Sequence, residues 1–161
     1  MRSYFYKLVF VFASGLIMTT MAGIAAAQPR AARGRVYTKG DVDRIIKRVE
    51  DSTDKFKKEF DKALDRSRLN GTNREDQLNQ YAKDLEHATD DLRQKFDRSD
   101  KWIDNRDQVR TCLSLASKIN VAMRNRRPGP KVESRWNGLR YDLNTLADVY
   151  NLPVVASPEY R

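Results

Sequence analysis

The sequence predicts an all-α protein: an up-down-up-down four-helix bundle behind a cleaved N-terminal signal peptide. Three observations predict it. Four segments carry apolar residues at alternating spacings of three and four, the period of a helix with one buried stripe. Short stretches of turn and capping residues separate them, and short connections fold consecutive helices antiparallel. Nowhere does the chain show the alternation of a strand.

Residues 1–27 stand apart from the bundle. Met1 to Lys7 is a short basic start, Leu8 to Ala27 carries no charge, and Ala25-Ala26-Ala27 offers a small-residue cleavage site. This is the pattern of a secretory signal peptide, with a retained membrane anchor as the alternative reading. It predicts an exported protein, periplasmic or secreted. No Cys follows the apolar run, so a lipid anchor on cysteine is not expected.

Residues 28–40 read as a basic, disordered tail, rich in Pro, Gly and Arg and poor in apolar residues. Thr38-Lys39-Gly40-Asp41 then resembles a capping box, so the first helix should begin near Asp41. Its stripe is Val42, Ile46, Val49, Thr53, Phe56, Phe60, Ala63 and Ser67, widened by Ile45 and Leu64. Asn70-Gly71 supplies the left-handed residue that ends a helix. Thr72 to Glu75 reads as a second capping box.

The next stripe repeats the first. Leu78, Ala82, Leu85, Thr89, Leu92 and Phe96 keep the same rhythm, and Glu, Thr, Asp and Phe recur at matching places in 50–61 and 86–97. Folding the chain about Gly71 sets Thr53 opposite Thr89 and Phe60 opposite Ala82. A buried threonine is expected to bond a carbonyl one turn back in its own helix. A register-fixing polar layer is the sharper alternative.

Asp97 to Asp100 breaks the pattern with capping residues. A third apolar face runs from Trp102 and Ile103 through Val109, Cys112, Leu113, Ala116 and Ile119 to Met123. Pro128-Gly129-Pro130 stops it. The fourth stripe is Val132, Trp136, Leu139, Leu143, Leu146 and Tyr150. The bundle should therefore cover 41–152, with 153–161 a short C-terminal tail.

Charge is segregated. The 161 residues include 31 Lys or Arg and 22 Asp or Glu, a formal +9, or +7 once Arg2 and Lys7 leave with the signal peptide. Arg30, Arg33, Arg35 and Lys39 in the tail, and Arg124, Arg126, Arg127 and Lys131 in the third connection, carry +8 with no acid among them. The rest of the mature chain is nearly neutral. These eight residues are the candidate contacts for an anionic surface. Three helix lengths separate the two groups, which places them at opposite ends.

No constellation for catalysis emerges. His87 is the sole histidine, and Asp84 and Asp91 beside it read as a solvated face. Cys112 is single, which excludes an internal disulfide and a cysteine-rich zinc site, and it fits a packed core position. No Gly-x-Ser-x-Gly elbow or phosphate-cradling loop is present. No enzymatic activity, cofactor or metal is expected.

Two stretches, Asp65 to Asp76 and Trp136 to Tyr150 with its Trp-x-x-Leu-Arg-x-Asp-Leu pattern, resemble a group of uncharacterised exported helical proteins from environmental bacteria. The resemblance covers nearly the whole mature chain. It implies secretion and an all-helical fold and brings no activity, substrate or site residue.

The expected function is a non-enzymatic envelope protein, binding or structural, that meets anionic lipid or polysaccharide, with nucleic acid a weaker candidate and a homo-oligomer compatible with the reading. The alternatives are a periplasmic chaperone or stress adaptor, which needs an exposed apolar surface, and a small-ligand or metal carrier, which needs a cavity near Trp102, Trp136 and Tyr150.

Overall fold

The computed structural model describes residues 30–32 and 35–156, with side chains from Val36 onward. Residues 1–27, where a signal peptide is expected, Arg33 and the last five residues lie outside the described residues. Four helices dominate: α1 (Lys39–Asp65), α2 (Asn73–Arg98), α3 (Arg106–Arg126) and α4 (Pro130–Val149). Among the described residues no helix is long and apolar enough to cross a membrane.

Each boundary has a local cause. The Thr38 hydroxyl accepts from the Asp41 N–H, and the Asp41 carboxylate accepts from the Thr38 N–H at 2.9 Å, closing the expected capping box. Hydrogen bonds from Thr38, with Arg44 nearby, hold the Asp41 carboxyl below the usual carboxylate range. At the second start, the Thr72 hydroxyl accepts from the Glu75 N–H as expected. Glu75 itself is buried and accepts instead from the Gly71 N–H at 2.6 Å, one residue earlier than a capping box requires. Gly71 has φ +74°, the left-handed conformation that ends the first connection. α2 stops at Arg98, and a 3₁₀ turn at Trp102–Asn105 leads into α3.

Packing follows the four stripes. α1 lies against both α2 and α4, α2 also packs on α3, and α3 meets α4. Between α1 and α2, α1 and α4, and α2 and α3, contact residues climb one helix while descending the other. Between α1 and α2, Asp43 pairs with Arg93 and Lys57 with Glu86, which puts Thr53 and Thr89 at one level. Between α1 and α4, Arg48 pairs with Asp142, the Phe56 ring meets the Trp136 ring at 5.2 Å, and Glu59 pairs with Lys131. The Lys118 ammonium sits over the α2 Tyr81 ring, and the Cys112 thiol donates to the Ala88 carbonyl at 3.4 Å.

Both threonines are buried and bond back within their own helices. Thr53 donates to Val49 O and Thr89 to Glu86 O, each at 2.8 Å. The hydroxyls are thereby satisfied locally, which is what lets them sit in an apolar seam.

Two expectations need correction. Residues 28–40 are not wholly without structure: Arg30–Ala32 (β1) and Arg35–Tyr37 (β2) pair as a small antiparallel hairpin, with Ala31 opposite Val36. Val36 and Tyr37 are strand-forming types, and Tyr37 is buried against the core. The C-terminal segment is not a loose tail up to Ala156. Leu152 and Val155 are buried, and Asn144 on α4 bonds both the N–H and the carbonyl of Val155, at 2.8 and 3.1 Å. One carboxylate reaches the interhelical seam. Asp142 is buried and accepts from Ser52 at 2.8 Å and Arg48 at 3.3 Å.

The aromatic residues considered for a ligand cavity are buried against other rings. Trp102 and Tyr150 meet edge to face at 5.6 Å, and the Tyr150 hydroxyl donates to the Trp102 carbonyl at 2.8 Å. Trp136 donates to Asn120 at 3.0 Å. The Tyr150 hydroxyl and the Trp136 indole N–H are thus satisfied, and the rings fill the space between helices.

Candidate anion-binding cleft

At one end of the bundle the α1–α2 connection lies beside the α3–α4 connection, and a cleft of about 550 Å³ opens between them. The geometry follows from chain order: when consecutive helices reverse direction, the first and third connections share an end. Arg126, Arg127 and Lys131 reach this cleft from the third connection and the helix ends beside it, Arg66 and Arg68 from the first, and Lys62 from the last turn of α1. Six cationic side chains therefore line it against a single carboxylate, Glu59.

The α3–α4 connection is stiff. Arg127 ends α3 in the left-handed conformation (φ 43°), with its N–H on the Met123 carbonyl. Pro128 follows, then Gly129 at φ 109°, a conformation that disfavours any side chain. Pro130 occupies the first position of α4, where its fixed φ suits a helix start and its missing N–H costs nothing. Gly129 contributes no side-chain cap, so the first turn of α4 keeps N–H groups for an outside acceptor.

Glu59 is the internal counter-ion. Its carboxylate meets the Lys131 ammonium at 2.9 Å and the Lys62 ammonium at 4.0 Å. The hydrogen bond from Lys131 is the main reason its carboxyl lies below the usual carboxylate range, with Lys62 and Arg135 adding to the effect. Arg66, Arg68 and Arg126 are exposed and, among the described residues, have no ion-pair partner. Some of these charges serve the helices as well. Lys62 in the last turn of α1, and Arg124 and Arg126 in the last turn of α3, oppose the negative ends of the helix dipoles.

The wall of the cleft is apolar in part. Ala63, Leu69 and Pro128 are half-buried there, over the more deeply buried Leu64 and Val132.

The eight sequence-predicted residues divide. Arg126, Arg127 and Lys131 come together in the cleft, while Arg124, two residues before Arg126 on α3, is exposed outside its lining. Lys39 is at the other end of α1, where its ammonium donates to the Ser99 carbonyl at 2.8 Å and lies over the Phe96 ring. Arg30 and Arg35 fall in the hairpin strands, and Arg33 lies outside the described residues. Lys62, Arg66 and Arg68 are absent from the sequence-based set. Their signal was available: two basic residues sit in the first connection and a third in the last turn before it, and a bundle of alternating helices returns that connection to the end that holds the third.

Elsewhere no competing chemical centre stands out. His87 is exposed, and among the described residues no group of three or more His, Cys, Asp or Glu is placed to hold a metal. Cys112 is fully buried, and desolvation pushes its thiol up to about 12. Such a thiol has almost no thiolate at neutral pH and is a poor nucleophile. The chain matches no protein-family model, no curated protein and no solved structure.

Proposed function

We propose that this is a non-enzymatic, exported helical-bundle protein whose cationic cleft binds anionic groups at the cell envelope. The helices are inferred to run up-down-up-down, because opposed contact registers link α1 to α2 and α4, and α2 to α3. Export rests on the basic-apolar-small pattern of residues 1–27 and on the likeness of Asp65 to Asp76 and Trp136 to Tyr150 to exported helical proteins. One observation carries the binding reading: two connections distant in sequence bring six cationic side chains around one carboxylate in a single cleft. Crowding like charges costs stability, and a bound anion relieves that cost.

The test is binding of the protein to dextran sulfate and to vesicles containing phosphatidylglycerol. Affinity should fall at least about tenfold between low salt and roughly 0.5 M NaCl, as screening shortens the reach of the field. The triple variant Arg66→Gln, Arg68→Gln, Arg126→Gln should lose most of the low-salt binding to both. A charge-matched control, Lys47→Gln, Lys58→Gln, Lys83→Gln, should keep it. Equal loss in the two variants would show a response to net charge alone and would remove the cleft from the reading.

A further inference from the structure

We infer that the occupant of the cleft is an anionic lipid of a bilayer surface, on which the bundle docks end-on through its α1–α2 and α3–α4 connections. This rests on the anion-binding reading and adds the class of ligand. A sugar polyanion needs only charge and hydrogen-bond donors. The cleft offers more: Leu69 and Pro128 lie half-buried among the cations, and Pro130 is exposed beside Lys131. Arginine and lysine around an apolar patch is the chemistry of an interface where phosphate heads lie above hydrocarbon.

Size and placement agree with this. At about 550 Å³ the cleft falls in the range that holds a ligand of drug size, much larger than one phosphate. Both connections are at the same end, so the end can approach a flat surface without the helices interfering. The stiffness of Arg127 to Pro130 lets the loop meet the surface with little ordering cost. Lipid phosphate would take the place that the Glu59 carboxylate holds beside Lys131 and Lys62, and glycerol and upper-chain carbons would cover Leu69, Pro128 and Pro130. Glu59 then limits affinity, since an arriving anion must compete with it.

Vesicles of phosphatidylglycerol mixed with phosphatidylcholine, dextran sulfate, and monomeric dihexanoyl phosphatidylglycerol are the probes. The expected result is that vesicle binding keeps an advantage of about tenfold over dextran sulfate at roughly 0.5 M NaCl, where the apolar contribution outlasts screening. Leu69→Asn, and separately Pro130→Ser should Leu69→Asn fold poorly, should erase that advantage while leaving dextran sulfate binding at low salt unchanged. Glu59→Gln should strengthen binding of every anion. Vesicle and dextran sulfate binding that fall in parallel with salt would overturn the lipid assignment and leave the anion cleft standing. Tight binding of the monomeric lipid without binding to vesicles would also overturn end-on docking. Failure of all three probes would overturn both readings.

Discussion

At the residue scale the core shows where single polar atoms decide stability. Cys112 has no exposure, its thiol donates to Ala88 O, and burial pushes its titration to about 12. Native protein at pH 8 should therefore leave the thiol unmodified by Ellman's reagent over hours, and denatured protein should react within minutes. Rapid reaction in the native state would show that the α2–α3 seam opens. Asn120 is the more consequential residue. Its side-chain carbonyl accepts from the buried Trp136 indole at 3.0 Å, and its amide donates to the Ala156 carbonyl at 3.1 Å. Asn120→Leu removes both bonds and leaves the indole N–H buried without a partner. It should cost about 1–3 kcal/mol in chemical denaturation, and a change near zero would show that the indole finds a replacement acceptor. The threonine back-bonds were legible from the sequence, because a helical threonine in a seam has few other options. The role of Asn120 was not, because an asparagine at a helix face gives no sign of whether it meets water or a tryptophan sixteen residues away.

At the element scale the helices were legible and the pieces between and beyond them were less so. A three-four rhythm repeats for many residues, so the α1 and α2 stripes and the Thr38 cap stand out. The C-terminal strap has no period to reveal it. It is held by Val155 in the core and by the paired bonds to Asn144, and Arg106 at the start of α3 donates to the Tyr150 and Asn151 carbonyls at 3.1 and 3.2 Å. Ending the chain after Pro153 exposes the apolar surface beneath Val155 and frees the Asn144 side chain. Loss of one buried valine and three hydrogen bonds, the Asn120–Ala156 bond among them, should cost about 3–5 kcal/mol, seen as a fall of several degrees or more in Tm. Full retention of Tm would show that the strap is a passenger. The hairpin was hidden for a related reason: three-residue strands are too short for alternation to register, and Arg-rich composition dominated the reading.

At the scale of the whole molecule, charge is arranged by chain topology more than by local sequence. The cationic cleft was half legible, because the third connection is visibly basic, while its union with the first is a consequence of how the helices pack. The same packing creates an acidic face. Glu50, Asp51 and Asp54 on α1 lie near Glu86 and Asp90 on α2. Partial burial, with repulsion from these neighbours, raises the Asp54 carboxyl above its ordinary value, and Lys57 opposes the shift. Burial likewise raises Glu50, partly offset by Arg93. A carboxyl whose folded value exceeds its unfolded value takes up a proton on folding, so its contribution to stability is lowest at neutral pH. That contribution improves as pH falls through the folded value toward the unfolded one. Asp41 and Glu59 run the other way: their contribution is present above the unfolded value and is lost as pH falls through the folded one. The variant Asp54→Asn isolates the first effect. It should raise stability at pH 7 by up to about 0.5 kcal/mol after solvent screening. The gain should shrink in roughly 1 M NaCl and vanish in acid, where the wild-type carboxyl is already neutral. Thermal melts at pH 7 and below the carboxylate range, with and without salt, measure all three. A loss of stability at pH 7 would mean that attraction to Lys57 outweighs desolvation and the repulsion from Glu86, Asp90 and Asp51 on that face.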